Sequence, residues 1–330
     1  MTGFDPFGPA LSPVVLIALV GLIWLYLRGA ARPRLAGERV GPVRHLLFAT
    51  GILLFVLAFD APLAPTGQQL FAVHQIQHLI VRLAGPMLFT LAYPWPVLRA
   101  GLPRNWRRGL RDLGHWRPVG LTVGLLSRLG VSFFLLVGSL YLWQVPALHN
   151  AALAIPALAL LAHLSMVLSG LLFFSIVFDR RDAPEGAVQS LRLFALIGVI
   201  VSNILLGSLT TLKSVALYAG YDSLGRLWGF TPLVDEAIGG YTIWVPSSIL
   251  MIAAIILVFN GWNAAEVRRW NARHGWAGSN AAALAYPETA YELRLKVTDP
   301  NRRMGRTLAL TAATMFAIVM ITTATLVYAL

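Results

Sequence analysis

Long apolar runs alternate with short polar links along this chain. Eight runs come near the roughly 20 residues that a helix needs to cross a bilayer, at about 10–28, 45–62, 70–92, 124–145, 153–178, 193–215, 240–262 and 307–329. The pattern predicts an all-α integral membrane protein, residues 1–330 forming one transmembrane helical domain of about eight helices in a single bundle. One connection, residues 263–306, is long and polar. It reads as a loop before the last helix, with a short amphipathic helix around Glu266–His274. The first run follows Asp5 and precedes its basic residues. That reverses the charge order of a signal peptide, so the run reads as a retained helix.

Composition narrows the classes. Hydrophobic residues make up 57 % of the chain and charged residues 12 %, and the mean hydropathy is +0.70. These values exclude an ordinary soluble domain of this length. There is no cysteine, which removes disulfides, thiolate metal sites and thiol redox chemistry and leaves His, Met and carboxylates as the strong ligands. A net charge of +12 would suggest a nucleic-acid partner in a soluble protein; here the placement of the charge explains it. Of the 26 lysines and arginines, all but Arg82, Arg128, Lys213 and Arg226 fall in four alternate links, after the first, third, fifth and seventh runs. By the positive-inside rule those links are cytoplasmic, and both termini lie on the outer, periplasmic side of a bacterial cytoplasmic membrane.

Orientation gives depth to the polar residues inside the runs. His74 and His78 are four residues apart, so both imidazoles project from one helical face. Ionisable residues within a span mark functional sites by default. The third run descends from the outer side near Leu70, which puts His78 about 12 Å deep. The fifth run descends from near Leu153 and puts His163 about 15 Å deep, with Met166 three residues further along a similar face. His149 falls in the outer loop above. Imidazole suits copper, zinc and iron, and a thioether adds a preference for Cu(I). The set His74, His78 and His163, with Met166 as a weak fourth ligand, therefore fits an outward-facing copper site. The plainer alternative is that these histidines hydrogen-bond between helices as structural polar groups. His45, His115 and His274 sit in or beside the basic links and read as surface residues.

Arg82 continues the spacing of 74 and 78 and requires a partner at its depth. Asp60, Asp235 and Glu236 are the nearby carboxylates, and a structural ion pair is the expected role. Trp24, Trp95, Trp143, Trp228 and Trp244 fall near run ends and read as interfacial anchors. No phosphate-cradling loop, nucleophile elbow or paired acid and base occurs, so no enzymatic activity is expected.

Three blocks within residues 45–262 give the chain a family likeness. The first is His74-Gln-Ile-Gln-His78-Leu with Gly85-Pro86 and Leu91-Ala-Tyr-Pro94. The second runs from Leu142-Trp-Gln-Val-Pro146-Ala-Leu-His149 to Ala162-His163-Leu-Ser and Gly170-Leu-Leu-Phe-Phe174. The third is Leu233-Val-Asp235-Glu-Ala-Ile-Gly239-Gly-Tyr-Thr-Ile-Trp244-Val-Pro246. Together and in this order they resemble the CtaG-type cytochrome c oxidase assembly factors, polytopic proteins found with copper-containing haem oxidases. The resemblance implies copper supply to an oxidase, with oxidase subunits and a periplasmic copper donor as partners. The chain departs from the family pattern at Gln144, Ala159 and Ala162, where relatives carry further His or Glu residues, and at Ile243, where they carry Met. It therefore implies a reduced ligand set of His74, His78 and His163, with His149 compensating for one loss. Two other readings remain open: a haem held by His78 and His163 as axial ligands, and a copper or proton transporter using Arg82, Asp60 and the Asp235–Glu236 pair.

Overall fold

The computed structural model describes residues 13–33, 37, 39–60, 62–181, 185–274 and, towards the C-terminus, 298–299, 302–311, 313–315, 317–318 and 321. Among them the fold is helical, with no strand. Helix α1 (Pro13–Ala30) and α2 (Pro42–Phe59) cover the first two apolar runs. A short α3 (Leu63–Gly67) leads into the third, which is α4 (Phe71–Leu79), a π turn (Ile80–Ala84) and α5 (Gly85–Leu91). Helices α6 (Trp95–Gly101), α7 (Arg104–His115) and α8 (Arg117–Leu126) follow. Then come α9 (Leu129–Gln144), α10 (Pro146–Ala154), α11 (Pro156–Val177) and α12 (Gln189–Leu212). A link containing α13 (Gly220–Leu224) precedes α14 (Pro232–His274).

Four helices are long and apolar enough to cross a membrane: α2, α11, α12 and residues Pro232–Val267 of α14. The pair α8–α9 makes a fifth if it is one span, but it bends by 73°. The fourth run therefore does not begin as a straight helix at 124. The expected eighth span, 307–329, lies largely outside the described residues. The amphipathic segment expected at Glu266–His274 is not separate but the end of α14. Residues 263–274 contain neither glycine nor proline, so nothing local stops the helix. The chain divides into two compact units, Met1–Ile255 and Ile256–Leu330, and the residues that form the candidate site belong to the first.

Small residues and proline decide how the helices of this unit meet. Pro86 has no N–H to offer the Arg82 carbonyl four residues back, and its ring would crowd that oxygen in a regular helix. The turn widens instead, and the Gly85 N–H bonds to the Ile80 carbonyl, five residues away. The displaced Arg82 carbonyl rests on Gly170 of α11, where a Cβ would come within 2.2 Å of it. Gly207 of α12 and Gly240 of α14 allow an equally close approach, each blocked to a Cβ by the other's carbonyl oxygen at 2.8 and 2.9 Å. An apolar cluster of Tyr26, Phe48, Ile52, Phe55, Phe89 and Val97 joins α1, α2, α5 and α6. Arg44 donates to the carbonyls of Ala92 and Tyr93 at 2.8 Å, which satisfies the open end of α5 with a favourably placed positive charge.

Candidate metal centre

The helix that carries His74 and His78 is capped from another part of the chain. Leu70 precedes α4 and supplies no side-chain cap, so the first peptide N–H groups need an outside acceptor. Asp235 of α14 provides it: its two carboxylate oxygens accept from Phe71 N–H and Ala72 N–H, each at 2.9 Å. Asp235 is also paired with Arg226. Its neighbour Glu236 accepts from the Leu217 and Tyr218 N–H groups at 3.0 Å and is paired with Lys213. The two carboxylates thus tie α14 to the histidine helix and to the 213–230 link.

Below this cap three imidazoles converge. Nitrogens of His74, His78 and His163 all lie within 4.8 Å of one another. His74 Nδ1 is 3.2 Å from the Gly67 carbonyl. A carbonyl only accepts, so Nδ1 carries the proton and the Nε2 lone pair is free. That lone pair faces His78 Nε2 at 2.9 Å. His78 must then place its proton on Nε2, and its Nδ1 is buried without a partner. His163 Nε2 is likewise buried and unpartnered. Buried polar atoms are seldom left unpaired. The three rings, with His149, Trp143, Ala152, Ala159 and Ala162, line a cavity of about 10 Å³, close to the smallest space that holds a single water or ion.

His149 occupies a different role from the one its position suggested. It lies on α10 and is 2 % exposed, because the helix folds back over the site instead of looping into solvent. Its ring centre is 4.9 Å from that of His74, yet both of its nitrogens are engaged. Nδ1 donates to the Trp143 carbonyl at 2.9 Å and Nε2 accepts from the Tyr221 hydroxyl at 2.8 Å. Burial, with the nearby Lys213 charge, depresses its proton affinity despite the carbonyl bond, so it is neutral. Burial raises the Tyr221 phenol, which keeps it a donor. Met166 is fully buried in the apolar cluster of Ala58, Val81, Trp143, Ala152 and Ala162 beside the cavity. Trp143, expected as an interfacial anchor, is instead a wall of the site, its indole N–H donating to Ser165 at 2.8 Å.

Arg82 is not among the residues that line the histidine cavity. The π turn redirects it to α9 and α12, where it donates to the Leu136 carbonyl at 3.5 Å and to Asn203 Oδ1 at 2.9 Å. Asn203 in turn donates to Ser247 at 3.0 Å. Two of the expected carboxylate partners are committed elsewhere: Asp235 to the first turn of α4 and to Arg226, and Glu236 to the Leu217 and Tyr218 N–H groups and to Lys213; Asp60 stands at the C-terminal end of α2. Amide and hydroxyl dipoles take the place of an ion pair. Sequence reasoning also passes over Tyr218, Tyr221 and Gln75, and names Gln144 only as a departure from the family pattern. Gln144 donates to Gln75 at 2.5 Å and accepts from Tyr218 at 3.1 Å, a polar brace between α4, α9 and the link. Two glutamines and two tyrosines near apolar helices were the available signal. Ala159 and Ala162, two of the departures from the family pattern, line the cavity itself.

Fold and site together define a membrane protein, helical among the described residues, in which three imidazoles converge, His78 buried and the other two partly so. The chain belongs to the cytochrome c oxidase caa3 assembly factor family (Caa3_CtaG), whose model matches residues 24–265. It is similar to an uncharacterised protein of Mycobacterium leprae, 22 % identical over 241 residues that cover 72 % of this chain and 37 % of the relative. An uncharacterised protein of Mycobacterium bovis is 24 % identical over 245 residues, covering 72 % and 36 %. The chain thus spans little more than a third of the length of these curated relatives. No solved structure matches it.

Proposed function

We propose that the chain is a non-enzymatic assembly factor for a haem-copper cytochrome c oxidase, holding Cu(I) between His74, His78 and His163 for delivery to an oxidase subunit. The observation that carries this reading is the convergence of three nitrogens around a one-ion cavity. The Gly67 carbonyl supports it further, because a second bond at the far nitrogen is the usual way a ligand histidine is oriented. Imidazoles without thiolate suit a borderline-soft metal, and an incomplete ligand set leaves a position for transfer. In this reading about eight helices cross the bacterial cytoplasmic membrane with both termini outside. The charge asymmetry of the links supports it, and the site then faces the side from which a periplasmic donor could load it.

The haem alternative fits the same residues less well. A porphyrin between His78 and His163 needs a pocket of several hundred Å³, against about 10 Å³ here. The test is copper stoichiometry in protein purified without oxygen. About one Cu(I) per chain is expected, and His78→Ala removes most of it. Unchanged stoichiometry in the alanine variants of His74, His78 and His163 would eliminate the copper reading. A Soret band in the reduced protein would install the haem reading in its place, and copper uptake into proteoliposomes would install transport.

A further inference from the structure

The basic helix after the histidine-bearing span takes no part in the copper reading. In α7, Arg104, Arg108, Arg111 and His115 recur at intervals of four, three and four, with Arg107 beside them. Trp106, Leu110 and Leu113 recur at four and three on the opposite side. This is an amphipathic helix with two sharply different faces. It buries neither of them: Trp106 is 68 % exposed, and Leu110 and Leu113 are each 53 % exposed. Twelve residues are marginal as a helix without packing, so an apolar environment has to cover that face. The neighbours of α7 indicate which one. It connects the helical segments at 71–101 to the bent pair α8–α9, which puts it at the edge of the bilayer.

The polar face is equally incomplete. Arg99 of α6 joins Arg104, Arg107, Arg108 and Arg111 around a basin of about 760 Å³, with Ala100 and Leu110 at its apolar margin and no carboxylate in its lining. Among the described residues none of these five guanidiniums is paired with a carboxylate. Arg107 Nε is shut away from solvent and has no hydrogen-bond partner. Five fixed positive charges around one space repel one another unless an anion fills it. Guanidinium forks match phosphate oxygens in geometry and charge.

We propose that this basin binds the phosphate of an anionic phospholipid headgroup, with the Trp106–Leu110–Leu113 face seated among the acyl chains and α7 lying in the plane of the membrane. The apolar face decides for a lipid, since a soluble phosphate or a nucleic acid would leave it in water.

Native mass spectrometry of the full chain in non-ionic detergent tests this, with phosphatidylglycerol, phosphatidylcholine and inorganic phosphate as probes. Phosphatidylglycerol is expected to stay bound under activation that strips phosphatidylcholine, and to be lost as salt is raised. Replacing Arg104, Arg107, Arg108 and Arg111 together by Gln should cut its retention about tenfold or more, whereas replacing the same four by Lys should keep most of it. The substitutions Trp106→Ser and Leu113→Ser together should weaken it as well. An unfolding transition of the Gln variant that matches the unmodified protein's shows that the chain is folded, and it keeps this test independent of the copper reading. Equal retention of the two lipids by the unmodified protein overturns the proposal, and that comparison needs no variant. Displacement of phosphatidylglycerol by millimolar inorganic phosphate overturns it too, as does retention unchanged in the Gln or Ser variants.

Discussion

Asp235 accepts the Phe71 N–H at 2.9 Å across 164 residues of sequence, so the first turn of the histidine helix is completed by a side chain from the last helix of its unit. Asp235→Asn keeps one acceptor but removes one of the charges that face Arg226, which retains Asp222 at 2.8 Å and Glu236 at 3.7 Å. The loss should be about 1–3 kcal/mol, because a charged hydrogen bond is weakened while the cation stays paired. Thermal or denaturant unfolding in detergent measures it. Copper affinity should fall as well, although Asp235 contributes no ligand.

Tyr221→Phe separates a supporting role for His149 from a ligand role. The substitution leaves His149 Nε2 buried with no donor, at a cost of about 1–3 kcal/mol in stability. If His149 only supports the site, copper stoichiometry stays at one per chain and the affinity falls by about tenfold. Metal titration beside an unfolding curve reads both.

Arg82 and Asn203 should behave as a coupled pair. Asn203→Leu leaves the guanidinium with little but the Leu136 carbonyl at 3.5 Å, an arrangement expected to cost about 3–5 kcal/mol. Adding Arg82→Met should recover more than 1 kcal/mol of that, since an apolar pair of similar size is tolerated where a lone charge is not. A double-mutant cycle on unfolding free energies gives the coupling.

Gly170→Ala tests the wide turn. Its Cβ would stand 2.2 Å from the Arg82 carbonyl carbon–oxygen group's oxygen, and backbone cannot yield as a side-chain tip can. A loss of about 1–3 kcal/mol is expected, together with weaker copper binding as α4 and α11 are forced apart. The same two measurements follow it.

Much of the scaffold was readable from sequence, because a bilayer imposes length and hydropathy on anything that crosses it. Four of the runs coincide with helices long and apolar enough to cross a membrane, a fifth with a bent pair, and nitrogens of His74, His78 and His163 lie within 4.8 Å of one another. The failures share a cause: each needed a contact between distant segments. Arg82 was placed on the histidine face by counting residues at the α-helical period, and Pro86 changes that period four residues later. The Gly85-Pro86 pair carried the warning. His149 sits between two apolar runs, so it read as a loop residue, and only the fold-back of α10 buries it. Asp235 and Glu236 were assigned to Arg82 by depth alone, whereas Arg226 and Lys213, on the link beside them, are closer along the chain and in space.

The wide turn at Ile80–Ala84 has an electrostatic consequence for whatever occupies the cavity. On a regular helix the guanidinium would follow the two imidazoles down one stripe and stand in line with the cavity. A shift of phase within one continuous helix sends that charge to the amide of Asn203. The imidazoles line the cavity, and the guanidinium is not among the groups that do.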